Sequence, residues 1–344
     1  MALVDDFMQI LEQIAMQRFI LWPGGVLLAL IALVIFVMRL SPWPSVAVIS
    51  YFFSKGDQAS EAALKKHVPD GIVCRRDIAY GAGPNEAFDH YYLEGTNALQ
   101  PTIVWVHGGG FIAGSKGGIA NYMKVLAGHG YTVIAVEYSR GYGTTYPKPL
   151  EQVNAALGFL VRCALDLKVD PTTIILAGDS AGAHIASQVA LITTDPAYAS
   201  AIGISPQLKA DQLRAMLLLS GTYDPSSVNF EGNYAWFRKT LLWAYLGVKN
   251  FRENERFPLM SVTGHVTSSF PASFISSGNG DPLVPQAVAL AQKLDDLGVN
   301  VETLFFPGDR APALPHEYQF NLDEAPGREA LKRMLGFLEA IRQR

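Results

Sequence analysis

Ala177-Gly178-Asp179-Ser180-Ala181-Gly182 separates an apolar run, Thr173-Ile174-Ile175-Leu176, from the alanine-rich, aliphatic stretch Ala183 to Leu191. The first run reads as a buried strand and the second as a helix. A serine flanked by glycines between strand and helix is lifted off the sheet on a sharp turn, which exposes its hydroxyl. It also lies beside a helix N-terminus, whose N–H groups and dipole favour negative charge. A glycine-rich turn with an incidental serine has the same local pattern. The surrounding chain has to decide between the two.

Upstream, the strand Thr102–Val106 ends in His107-Gly108-Gly109-Gly110-Phe111. Consecutive glycines let the backbone approach a ligand closely and turn its N–H groups inward. In an acyl-transfer enzyme such groups, with the N–H of the residue after the nucleophile, stabilise the tetrahedral oxyanion. Downstream, a serine nucleophile needs a histidine base and a carboxylate to orient it, in the chain order Ser, Asp or Glu, His. Of the seven histidines, His184, His265 and His316 follow Ser180. His184 sits one helical turn past the serine and His265 within a long insert. His316 lies in a loop between the last strand and the last helix, where a base belongs. Asp281, in the turn after Ala272–Ser276, is the acid closest to that loop in topology. Asp224, which also follows a strand, is its rival, and Asp179 reads as part of the turn.

The rest of the chain supplies a frame for these residues. Strands are expected at Ile72–Tyr80, Ala87–Leu93, Tyr131–Tyr138, Ala215–Leu219 and Val301–Phe306. Helices are expected at Asn121–His129, Leu150–Leu167, Pro285–Leu297 and Arg328–Ile341. Alternation of this kind predicts a mainly parallel sheet with helices on both faces, with 72–80 and 87–93 as an antiparallel edge hairpin. One insert breaks the rhythm: residues 225–270 carry Tyr234, Trp236, Phe237, Trp243, Tyr245 and Phe251, and an insert of that length reads as a cap. Its aromatics are expected to form mostly its own core. With 344 residues, 49% apolar content and a net charge of −4, the composition fits a large α/β domain and gives no sign of nucleic-acid binding. The two cysteines, Cys74 and Cys163, have no redox or metal spacing.

His-Gly-Gly-Gly at 107–110, Gly-Asp-Ser-Ala-Gly at 178–182, Asp281-Pro282-Leu283 and the late His316 resemble the hormone-sensitive-lipase-like branch of the α/β-hydrolases. The likeness covers residues 71–344. It implies an eight-stranded sheet with a cap and carboxylic-ester hydrolysis without a cofactor or metal. On matching positions it makes Ser180 the nucleophile, His316 the base and Asp281 its orienter. Gly109, Gly110 and Ala181 become the oxyanion donors, and His107 and Gly108 shape the loop. Two departures stand out. Glu137-Tyr138-Ser139-Arg140-Gly141-Tyr142-Gly143 replaces the usual Asp-Tyr-Arg-Leu-Ala-Pro, and Glu317 puts a carboxylate beside the base, either solvated or tuning it. An amidase, formamidase or deacetylase would use the same triad, and a ligand-binding or assembly protein could keep the same fold.

The N-terminus points elsewhere. Phe19 to Met38 carries no charge between Arg18 and Arg39, enough residues at helical rise to match a bilayer core of about 30 Å. Trp22 and Trp43 lie where interfacial aromatics sit. The acidic leader and the sequence Met38-Arg39-Leu40-Ser41-Pro42 argue against a cleaved signal peptide. The expected organisation is an amphipathic segment at 1–18, a transmembrane helix at 19–40 with residues 19–38 in lipid, and a helical lead-in at 41–70. The arrangement resembles the anchored arylacetamide-deacetylase type and predicts a single-pass membrane protein. The basic residues after the span lean toward a cytoplasmic catalytic domain. The first helix is also a candidate surface for a second copy or a membrane partner.

Overall fold

The computed structural model describes residue 9 and residues 25–343. The amphipathic segment expected at 1–18 therefore lies outside the described residues apart from residue 9, as do residues 19–24 of the expected span. Eight strands form one sheet: β1 (Ile72–Ala79), β2 (Ala87–Leu93), β3 (Gln100–Val106), β4 (Thr132–Val136), β5 (Val169–Asp179), β6 (Leu213–Leu219), β7 (Ala272–Ser277) and β8 (Val301–Phe305). Their order is β1-β2-β4-β3-β5-β6-β7-β8.

The sheet is mixed, which corrects the expectation of a mainly parallel one. β2 runs antiparallel to both β1 and β4, while the pairs from β4 through β3, β5, β6 and β7 to β8 are parallel. The antiparallel part is wider than a hairpin because β2 inserts beside β4 instead of ending the sheet.

The central strands read as near-continuous apolar runs because helices cover both faces. On one face α4 (Lys148–Arg162), α5 (Ser180–Thr194) and α9 (Val284–Asp296) bury Leu150, Leu157, Val189 and Leu290 against Val104, Leu176 and Leu218. On the other, α3 (Ala120–Ala127) and α10 (Ala325–Arg342) bury Met123, Leu126, Met334 and Leu338 against Ile103, Trp105 and Leu217. α4 stops at Arg162, short of the expected Leu167. There the chain turns on Leu167 N–H to Cys163 O and reverses at Lys168, φ 53°.

α1 (Gly25–Leu40) exposes its apolar side chains, Leu28, Phe36 and Leu40 among them. Among the described residues no single helix is long and apolar enough to cross a membrane. α1 and the helical stretch Trp43–His67 meet that measure only as a pair, bent by 93°. The bend falls at Pro42, whose ring cannot continue the first helix. α2 (Trp43–Leu64) then packs onto the molecule through Val46 and Ile49, which meet Ile112, Ala113 and Ala244. Between β6 and β7 lie α6's downstream neighbours α7 (Ala235–Leu246) and α8 (Val262–His265), α6 itself (Pro196–Ile202) following α5 directly.

Candidate active site

β5 delivers Asp179, and Ser180 begins α5 with φ 50°, a left-handed conformation that non-glycine residues rarely adopt. The turn is tight enough to dictate its neighbours. A Cβ on Gly182 would sit 2.0 Å from Val106 O, and one on Gly178 would sit 2.6 Å from the carbonyl carbon of Gly182. Only glycine fits at either position, so the small residues read from the sequence are a steric requirement.

Asp281 and His316 arrive on the loops after β7 and β8. His316 Nε2 lies 2.9 Å from Ser180 Oγ, and His316 Nδ1 lies 2.8 Å from Asp281 Oδ2. With the imidazole neutral, Nδ1 donates to the Asp281 carboxylate and Nε2 accepts from the Ser180 hydroxyl. The Asp281 side chain is fully buried and its Oδ1 accepts from Leu283 N–H at 2.8 Å. Burial alone would lower the His316 pKa, yet the Asp281 hydrogen bond and the charge of Glu317 outweigh it and push the imidazole up to about 9.

The two loops are tied together by a residue that the sequence reading missed. Asn279 Oδ1 accepts from Leu314 N–H at 2.8 Å, its Nδ2 donates to Arg310 O at 2.9 Å, and Gly280 N–H donates to Leu314 O at 2.9 Å. The only signal available was a polar side chain between two glycines in Ser277-Gly278-Asn279-Gly280-Asp281.

In the loop after β3, Gly109 (φ 113°) and Gly110 (φ 60°) carry the chain through conformations that suit glycine. No acceptor among the described residues takes either N–H. Gly108 N–H instead donates to Asp179 Oδ2 at 2.8 Å, and Ala181 occupies the first turn of α5. His107 is taken up by other partners, with Nδ1 2.8 Å from Gly108 O and Nε2 3.0 Å from Glu137 Oε1. Burial would raise the Glu137 pKa, but His107 and Arg140 outweigh it and hold the carboxyl down at about 2. The departure at 137–143 thus anchors the glycine loop from below, with Tyr138 Oη donating to His107 O at 2.7 Å.

The remaining candidates lie apart. Asp224 accepts from Ser226 N–H at 3.1 Å, and His184 Nε2 is 2.8 Å from Met260 O in the core. His265 Nε2 lies 3.4 Å from Pro258 O. Within the insert, Phe251 meets Phe230 and Phe257 as an internal core would, but Tyr245 stacks on Phe111 outside it with ring centroids 4.1 Å apart, which corrects the expectation for that residue; Tyr234 and Trp236 are exposed. Phe53 of α2 and Leu241 of α7, also missed, close in on Gly110, where a Cβ would lie 3.3 and 3.2 Å from them. No group of three or more His, Cys, Asp or Glu among the described residues is arranged to hold a metal.

Known proteins carry the same frame. An esterase of Gibberella moniliformis is 31% identical over 212 residues, 59% of this chain and 64% of that protein. The isoprenylcysteine alpha-carbonyl methylesterase ICME of Arabidopsis thaliana is 26% identical over 284 residues, 81% of this chain and 62% of that protein. The chain thus spans less than two thirds of the length of these relatives. The crystal structure of an inhibited esterase B from Lactobacillus rhamnosis superposes with a TM-score of 0.77 at 23% identity, over 88% of this chain and 97% of that one. That likeness shows the fold, an α/β-hydrolase. Residues 88–294, more than half of the chain, match the BD-FAE family, and the protein belongs to that family.

Proposed function

We propose that the protein is a serine carboxylesterase. The observation that carries the reading is the unbroken line from Ser180 Oγ to His316 Nε2 (2.9 Å) and from His316 Nδ1 to Asp281 Oδ2 (2.8 Å). Ser180 Oγ attacks the ester carbonyl carbon while its proton moves to His316 Nε2. The oxyanion that forms is met by the N–H groups of Gly109, Gly110 and Ala181, a set in which one donor is worth about 3 kcal/mol of barrier. Collapse breaks the bond to the leaving oxygen, which takes the proton from Nε2 and departs as the alcohol. Water, deprotonated by the same nitrogen, then releases the acid from the acyl enzyme. The esterase names of the relatives support this class of reaction.

In this reading residues 225–270 and α2 cap the site, and the apolar pair Phe53 and Leu241 suits a lipophilic acyl or alcohol group. The exposed apolar side chains of α1 support membrane association of the N-terminus, since burying them in lipid removes the cost of their contact with water. Flotation of the full chain with liposomes, lost on deletion of residues 1–40, is the expected result; equal flotation of both would remove the anchor.

The decisive experiment is hydrolysis of p-nitrophenyl esters from acetate to palmitate by the intact protein and by Ser180→Ala. Turnover by the first and a loss of about 10⁴-fold or more in the second is expected. A folded wild-type protein inert on every ester would overturn the reading.

A further inference from the structure

Asp179 stands directly before Ser180 and is buried. Each of its oxygens receives one donor: Trp105 Nε1 on Oδ1 at 2.7 Å and Gly108 N–H on Oδ2 at 2.8 Å. An indole and a peptide N–H are both uncharged, and two neutral donors do not offset the burial of a full charge. The third neighbour is itself an acid. The Glu317 and Asp179 carboxyls converge on Gly108. A Cβ there would lie 2.3 Å from Asp179 Oδ2 and 3.0 Å from Glu317 Oε1.

The same Glu317 Oε1 lies 3.6 Å from His316 Nε2, the nitrogen that faces the serine. This placement is built by the backbone. Glu317 is left-handed (φ 58°), and its N–H donates to Ser220 Oγ at 3.1 Å. Ser220 is fully buried and left-handed too (φ 49°), so two strained residues aim one carboxyl into the site.

Two carboxyls that converge on one point, Asp179 buried and Glu317 only partly exposed, resist ionising together. We propose that Asp179 and Glu317 hold a single proton between them, and that Glu317 is a positioning residue that stabilises the protonated form of His316 during acyl transfer. The proposal rests on the Ser180–His316 reading for its second half only. When Ser180 attacks, the Oγ–H bond breaks and an Nε2–H bond forms beside Glu317 Oε1; that proton leaves on the alcohol. The proton held by the pair stays in place throughout, so the step adds nothing to the balance of the reaction.

The electrostatics agree with the geometry. Asp179 is pushed above the usual carboxylate range, by burial first and by the Glu317 charge second. The groups facing His316 are Asp281 from the loop after β7, Glu317, and Asp179 at the end of β5. Around the pair itself stand His107 after β3, Asp57 of α2 and the phenols of Tyr122 and Tyr138.

The test is Glu317→Gln in the full chain, with two readouts. The first is the pH profile of kcat/KM on a p-nitrophenyl ester. Its rising limb reports the free imidazole, and removal of the nearby negative charge is expected to move that limb down by about one pH unit. A limb that stays put overturns the role assigned to Glu317. The second is the infrared C=O stretch of a neutral carboxylic acid in the resting protein at pH 7, expected in the wild type and altered in Glu317→Gln. Its absence from the wild type, or an unaltered band in the variant, overturns the shared proton. The infrared readout needs no turnover, so it stands even if Ser180→Ala leaves esterase activity intact and the reaction itself has to be reassigned.

Discussion

Ser180 and His316 meet at 2.9 Å, yet the halves of the site that deliver them are held in different ways. The serine half is held by exclusion. Gly178, Gly182 and Gly109 each sit where a Cβ would fall within 2.6 Å of backbone atoms, so strand, helix and glycine loop are wedged together. The histidine half is held by hydrogen bonds between loops, with Asn279 and Gly280 clasping Leu314 and Ser220 holding Glu317. Close packing has almost no soft direction, whereas a loop clasp gives way one bond at a time. The serine is thereby fixed by the fold, and the histidine is fixed by particular side chains.

Substitutions on each side can break that distinction. Gly182→Ala is expected to have the largest effect. Its Cβ would lie 2.0 Å from Val106 O and 2.5 Å from His107 O, so the fold loses about 3 kcal/mol and turnover falls with it. Thermal unfolding measures the loss, and a melting temperature within a degree of the wild type would show that the wedge is soft. Asn279→Ala comes next. It leaves Leu314 N–H without its partner, which costs about 1–2 kcal/mol, and it frees the loop that carries His316. The expected signature is a kcat lowered about 10- to 100-fold at nearly unchanged KM, since the displaced group is the proposed base and not a substrate contact. Ser220→Ala should be mildest, about 1 kcal/mol or less in urea unfolding with a few-fold drop in kcat. A drop equal to that of Asn279→Ala would mean that the histidine half behaves as one unit and not as separable bonds.

The same distinction explains which residues the sequence made visible. The serine turn and the glycine loop are contiguous motifs whose small residues answer to local sterics; each is ambiguous alone, and together in one chain they were readable. Asp281 and His316 were reachable through chain order and topology, and the structure brings them together. Asn279 was not, because its partners Leu314 and Arg310 are fixed only once two loops fold against each other. α2 read as a lead-in because its pattern is blurred. Val46 and Ile49 face inward while Val48, Tyr51 and Phe52 face out, so no clean polar stripe marks which side packs. The wider antiparallel part of the sheet was hidden for a similar reason. β2 and β4 are neighbours in space with β3 between them in sequence, and alternation along the chain carries no record of such an exchange.

The chain leaves β6 at Leu219 and re-enters the sheet at Ala272 on the adjacent strand β7, with Leu219 opposite Ser276. Because the two strands are already neighbours, the excursion between them bears no part of the sheet's register. Doubling the length of such a loop costs only about 0.6 kcal/mol of closure entropy. Insertions and deletions between residues 225 and 270 are therefore expected to leave the pairing of β6 with β7 in place.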